Sequence, residues 1–493
     1  MPSPFALLAL IASIAAPASA KGYANIPGAS SYNGLNLVPQ MGWDDWNAFG
    51  CNVNETLLFS TAQTLVSTGL RDLGYKYVIL DDCWSSGRNS SGYLEEDREK
   101  FPRGLAPLIS DIHALGLKFG IYSSAGIFTC GRYPGSLDHE EKDAALWASW
   151  GVDYVKYDNC FNQGRSGTPE ISFKRYEAMS KALNATGRSV VYAICNWGND
   201  DPFDWAYTIS NSWRMSGDIY DSFNRPDSRC PCDEAIGCRW PGFHCSVMNI
   251  LNKMAAIQAR SMSGAFNDMD MLEVGNGGQD DNEYVTHFSM WALLSSPLLL
   301  GTNLATLSPA NLAILSNPAV IALNQDPSAG AAIRKWRYLV ADKDANGQGE
   351  ISLWTRVMDN GDTVVALVNA GNAARSMNAT LADIFLDQST GGTYRPAEEL
   401  ATNWEVWDLW GGRMAEAEAR AVIESGPSVS ANSTMRYNAS AVGYAEGLKA
   451  NHPALFGTKV GTVAPHGTLT AQVARHSVGL FRLRKVAGMR DEL

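Results

Sequence analysis

The sequence predicts an α/β fold: a (β/α)8 TIM barrel followed by a C-terminal antiparallel β-sandwich. Between residue 38 and about residue 300, strand-like apolar runs alternate with segments whose apolar residues recur at helical spacing. After "IALNQDP" the texture changes to period-two alternation broken by turn residues. Polar and aromatic residues gather at the ends of the strand-like runs, which is where barrels of this kind place their chemistry. A doubly wound sheet is the alternative that the same alternation allows.

Taken in order, the chain of 493 residues opens on "MPSPFALLALIASIAAPASA". This short apolar run closes on small residues, with Ala18 and Ala20 flanking Ser19, and predicts a signal peptide over residues 1–20. It is too short to span a bilayer. The later run "MWALLSSPLLLGTNLA" is also short and is broken by Pro297, so no membrane partner is expected. The barrel is expected over residues 21–328, with strands in "VPQMGW", "KYVILDD", "KFGIYS", "DYVKYD", "VVYAIC", "TISNSWRMSGD", "GAFNDMD" and "SSPLLLG". Helices are expected between them, as in "ETLLFSTAQTLVSTGLRDLG" and "LAPLISDIHALGL". The sandwich follows over 329–493, where "GEISLWTRVMDNGDTVVALVNAG" reads as strands split at Asn360 and Gly361 and "VGLFRLR" as another strand.

A formal net charge of -12 argues against a nucleic-acid partner, since a phosphate backbone selects basic surfaces. Entry to the secretory pathway fits the Asn-X-Ser/Thr sequons at Asn54, Asn89, Asn184, Asn378, Asn432 and Asn438. It also permits disulfides among the nine cysteines. Cys51 and Cys83 follow the first two strands, and Cys130 and Cys160 the next two, so each pair can staple adjacent loops. The local set Cys230, Cys232, Cys238 and Cys245 allows three connectivities.

The stretch "DYVKYDNC" sets Lys156 and Asp158 two positions apart in an otherwise core-like strand, which puts both on one face. Other strand ends carry Trp43 and Trp46, Asp81 and Asp82, Tyr122, then Cys195, Asn196 and Trp197, Arg214 and Asp218, and Asp268 and Asp270. One aspartate after a strand is often only a helix cap. Polar groups at nearly every end of one rim point instead to a site, and carboxylates with aromatic rings suit a sugar. Retaining glycoside hydrolysis uses a carboxylate nucleophile and a carboxylic acid about 5 to 5.5 Å apart, and an ammonium such as Lys156 favours the ionised nucleophile.

The motifs "MGWDDWNAFGC", "LDDCW", "GIYSSAG", "KYDNC", "NSWRMSGD" and "NDMDMLEVGN" resemble those of glycoside hydrolase family 27, the retaining α-galactosidases. "RPDSRCPCDEAIGCRWPGFHCSVMNILNK" resembles the cysteine-rich insertion of its yeast and fungal melibiase branch. The resemblance implies Asp158 as nucleophile and Asp218 as general acid/base. It assigns the 4- and 6-hydroxyls of galactose to Asp81 and Asp82, the 3- and 4-hydroxyls to Lys156, and the 2- and 3-hydroxyls to Arg214 and Asp270. Trp46, Tyr122, Asn196 and Trp197 would line the pocket. The chain departs from many members at Asn196, where they have Glu, and at Phe266, where they have Trp.

The same resemblance favours nested bridges from Cys230 to Cys245 and from Cys232 to Cys238, and leaves Cys195 as a buried thiol. No cofactor or metal is implied. The implied partners are α-galactosides such as melibiose, raffinose-type oligosaccharides and galactomannan, with homo-oligomers open. An α-N-acetylgalactosaminidase of the same family and an inactive sugar-binding barrel are the alternatives. Export is expected, while the ending "RDEL" differs from the Lys-Asp-Glu-Leu signal only at Arg490 and offers endoplasmic reticulum retention as a second destination.

Overall fold

The computed structural model describes residues 32–231, 243–386, 398–426 and 437–486. One parallel sheet contains β1 (Met41–Asp44), β2 (Tyr77–Leu80), β3 (Lys118–Ser124), β4 (Tyr154–Asp158), β5 (Val191–Cys195), β6 (Ser212–Arg214), β7 (Phe266–Asp268) and β8 (Leu298–Leu300). Neighbours follow chain order from β1 to β7, and β8 pairs with β1 through Met41↔Leu298. A parallel bridge between Leu272 and Leu300 brings the chain after β7 against β8 and closes the curl. That closure excludes the doubly wound alternative, whose sheet keeps two free edges.

Period-two alternation decides what each strand offers the lumen. Tyr77 and Ile79 of β2, Tyr154 of β4, and Val191 and Ala193 of β5 pack inside the barrel. Val78, Leu80, Val155, Tyr157, Tyr192 and Ile194 face the surrounding helices. Gly120 of β3 makes room for the lumen rings, because a Cβ there would meet Ile79 Cγ1 at 2.7 Å and Tyr154 Cδ1 at 2.9 Å. The outer layer includes α1 (Glu55–Ser67), α2 (Leu105–Ala114), α3 (Glu140–Trp150), α4 (Pro169–Ala185), α5 (Val247–Met254) and α6 (Asp281–Leu293). Side chains start several of them: Asn54 accepts from Leu57 N, Thr168 from Ile171 N, and Asp280 forms a capping box with Glu283.

Beyond the barrel, a six-stranded antiparallel sheet forms from β9 (Ile333–Leu339), β10 (Glu350–Val357), β11 (Thr363–Asn369), β13 (Trp404–Asp408), β14 (Thr458–Val463) and β16 (Ser477–Lys485). Strands β12 (Arg375–Thr380) and β15 (Thr468–Val473) pair separately. Both faces of β11 are buried, which is why it reads "TVVALVN". Val365 and Leu367 pack with Met377 and Leu469 in the sandwich core, while Val364, Ala366 and Val368 join the core shared with the barrel. Buried Arg356 fastens the two domains by donating to Leu293 O, Ser295 Oγ and Leu323 O. No helix among the described residues is long and apolar enough to cross a membrane.

Cys51–Cys83, Cys130–Cys160 and Cys230–Cys245 are bonded as expected, and Cys195 is a free, buried thiol. The expected Cys232–Cys238 bridge lies outside the described residues, as do Asn432, the leader and the terminal tetrapeptide. Among the other sequons, Asn54, Asn184, Asn378 and Asn438 are exposed and Asn89 is partly so.

Candidate active site

At the C-terminal ends of the strands lies a cavity of about 260 Å³, lined by Trp46, Asp81, Tyr122, Lys156, Asp158, Trp197, Arg214, Asp218 and Asp270 together with Asn47, Met271 and the aromatic rim of Tyr220, Phe243 and His244. Lys156 and Asp158 reach it from β4 because two-residue spacing keeps both on the lumen side, with Tyr157 turned among the helices. The register sets Tyr122 beside Lys156 and Cys195 beside Asp158. A smaller, water-sized cavity of about 10 Å³ is lined by Asp44, Lys156, Cys195, Arg214, Asp268 and neighbours.

Asp158 accepts from Asn159 N at 2.8 Å and from the Tyr122 hydroxyl at 3.1 Å. Burial is the largest influence on it, Lys156 opposes burial, Asp218 reinforces it, and the carboxyl rises from 3.8 to about 7. Lys156 favours the ionised carboxylate as expected, but desolvation outweighs it. Lys156 itself donates to Asp81 Oδ2 at 2.6 Å. Burial, the largest single influence, disfavours its charge, yet the surrounding anionic groups, Asp81 and Asp44 foremost, together hold the ammonium above its ordinary range.

Opposite this pair, Arg214 Nη2 lies 2.8 Å from Asp218 Oδ1 and 2.6 Å from Asp270 Oδ2. Asp270 also accepts from the backbone N–H groups of Ile219 and Met271, both at 2.8 Å. The two acids differ in setting: the Asp218 side chain is 61% exposed and that of Asp270 is 5% exposed. Trp197 and Asp270 take left-handed backbone, φ 59 and φ 77, a strained choice for non-glycine residues that clusters at functional sites.

Two expected contact residues stand behind the cavity wall. Asp82 accepts from Gly131 N at 2.6 Å and Cys83 N at 2.7 Å, and Asn196 donates to Asn199 O at 2.5 Å. Neither is among the residues lining the cavity. The lumen also holds acids that sequence reasoning left unassigned. Asp44 and Asp45 are buried, and burial together with Asp81 lifts both well above the usual carboxylate range. Burial likewise pushes Asp268 to about 6. Among the described residues lining the two cavities, carboxyls outnumber the Lys156 and Arg214 cations, and burial favours the protonated form of Asp44, Asp158 and Asp268. Glu273, pushed to about 8 by burial, receives N–H bonds from Asn47 and Asn276, each at 2.5 Å, and so fixes Asn47 at the wall. Cys130, Asp158 and Cys160 bring potential metal-ligand atoms together, but the two sulfurs are bonded to each other.

Comparison with known proteins identifies the family of the chain. The family model described as alpha galactosidase A matches residues 38–230 and 233–326, and that of the alpha galactosidase C-terminal beta sandwich domain matches 348–436. An α-galactosidase of Lachancea cidri is 54% identical, over 92% of this chain and 95% of its own. A solved α-galactosidase from Saccharomyces cerevisiae is similar at TM-score 0.88 and 49% identity, covering 92% of this chain and 99% of that one, and has also been solved with raffinose. α-Galactosidase I of Mortierella vinacea matches at TM-score 0.76 and 43% identity, over 92% and 99% of the two chains.

Proposed function

The chain belongs to the α-galactosidases of glycoside hydrolase family 27, and we propose that it hydrolyses terminal α-D-galactosides by double displacement through Asp158 and Asp218. It is a glycosidase with α-galactosidase activity. The observation supporting this mechanism is that a buried and an exposed aspartate line one sugar-sized cavity. Asp158 attacks the anomeric carbon while Asp218 protonates the departing glycosidic oxygen, leaving galactose esterified to Asp158. Asp218 then takes a proton from water, whose oxygen attacks the same carbon and releases galactose with its configuration retained.

The remaining groups bind and orient. Lys156 and Asp81 form one polar edge for hydroxyls, Arg214 and Asp270 the other, and Trp46 offers a ring to the C–H face of the sugar. Asp82 and Asn196 act from behind by holding the 131 and 199 segments. Melibiose, raffinose-type oligosaccharides and galactomannan are the proposed substrates. Turnover of p-nitrophenyl α-galactoside by the purified protein tests the reading, and its absence would refute it. The protein is proposed to be exported through its leader. Deleting Arg490 to Leu493 and comparing activity in medium and cells tests retention, which an unchanged partition would exclude.

A further inference from the structure

The loop that carries Asp218 is gripped from several sides, one of which belongs to the β-sandwich. Asp218 O accepts from Cys245 N at 2.8 Å, and Phe223 O accepts from Met248 N at 2.9 Å. Asp221 accepts from the Tyr284 hydroxyl at 2.9 Å and from Gln279 Nε2 at 2.8 Å. At the end of the loop the buried Phe223 ring stacks on His476, with centroids 4.9 Å apart and planes at 29°. His476 immediately precedes β16, so this contact comes from the second domain.

His476 is held in a way that domain docking alone does not require. It is 3% exposed, and its backbone is left-handed at φ 50, a costly conformation for a non-glycine residue. Its carbonyl accepts from Thr286 Oγ1 at 3.1 Å, and its Nδ1 lies 2.6 Å from Glu283 Oε1. Glu283 Oε2 is meanwhile fixed by the capping box of α6, accepting from Asp280 N at 2.9 Å. Arg356, the Arg413–Asp281 pair and the Trp410–Ser289 bond already join the domains. The strained residue adds something they do not, a flat ring delivered to the acid/base loop.

We propose that His476 is a positioning residue through which the β-sandwich fixes the Asp218 loop, so that the second domain contributes to the proton-transfer step as well as to folding. This rests on Asp218 being the general acid. An acid must lie within hydrogen-bond reach of the departing oxygen, and the exposed Asp218 owes its place to the loop beneath it.

Leaving groups of different basicity separate positioning from general damage. The glycosylation step with 2,4-dinitrophenyl α-galactoside needs little protonation, whereas melibiose needs the acid. His476→Asn keeps a residue tolerant of left-handed backbone and able to donate to Glu283, but removes the ring. Phe223→Leu removes the partner ring from the loop side, and supplies the result if His476→Asn fails to fold. For these variants kcat/KM on melibiose should fall roughly tenfold, the scale of a small misplacement, and on the dinitrophenyl substrate less than about twofold. Asp218→Ala should show the same selectivity in stronger form. Equal losses on both substrates, or none, in the His476 and Phe223 variants would overturn the inference. A lack of leaving-group dependence in Asp218→Ala would instead overturn the acid assignment.

Discussion

Replacing Asp158 by asparagine should stabilise the protein while it abolishes turnover. The Asp158 carboxyl ordinarily titrates at 3.8 and is pushed to about 7 in the folded protein, chiefly by burial. The folded state therefore binds this proton more tightly than the unfolded chain does. Below about pH 4 both states are protonated and the site costs nothing; as pH rises from 4 to 7 the folded state is progressively penalised. At about 1.4 kcal/mol for each pH unit between the two pKa values, the full penalty above pH 7 is about 4 kcal/mol. Asparagine carries no charge, and re-pairing its amide with Asn159 N and the Tyr122 hydroxyl sacrifices about 1 kcal/mol. The net gain of about 3 kcal/mol should raise the thermal midpoint by several degrees at pH 8, whereas at pH 4, where the burial penalty has all but vanished, the weakened hydrogen bonds should leave it level or slightly lower. Calorimetry of both proteins at the two pH values measures this. An Asp158→Asn midpoint at or below wild type at pH 8, or the same difference at both pH values, would refute the reasoning.

Lys156→Met should move the acid limb of the kcat/KM profile to higher pH and weaken substrate binding, because the ammonium opposes the upward pull of burial on Asp158; an unmoved limb would show that Asp158 does not set it. Azide should partly restore the activity of Asp218→Ala on the dinitrophenyl substrate and give α-galactosyl azide, since the small anion attacks the galactosyl ester without a general base; a β-azide identified by NMR would reverse the assignment of the two acids. Galactosides should be strongly preferred over matched N-acetylgalactosaminides if Trp197 at the wall and the buried Asn196 occupy the space an acetamide needs; comparable kcat/KM values would contradict this.

The barrel and sandwich were legible because strand and helix periods are local properties of the chain. Lys156 and Asp158 were legible for the same reason, as two-residue spacing alone puts them on one face. The limits appear where alternation meets a turn. Asp81 and Trp197 line the cavity, whereas their chain neighbours Asp82 and Asn196 are not among its lining residues and instead bond the 131 and 199 segments. Asp44 and Asp45 stand in a quoted motif that assigns them no role, and folding brings both near Asp81 and Lys156. Glu273 meets Asn47 across 226 positions, and His476 meets Glu283 across 193. No period in the sequence encodes those meetings, which arise when the barrel closes and the second domain docks.

Covalent trapping tests the central claim most directly. The protein would be incubated with a fluorinated α-galactosyl fluoride, whose electron-poor ring slows hydrolysis of the ester intermediate, and then digested for peptide mass spectrometry. The account predicts one fluorogalactosyl group per chain, carried by Asp158. A label on Asp218, Asp270 or another residue, or unlabelled protein releasing β-galactose as its first product from an ordinary α-galactoside, would contradict it.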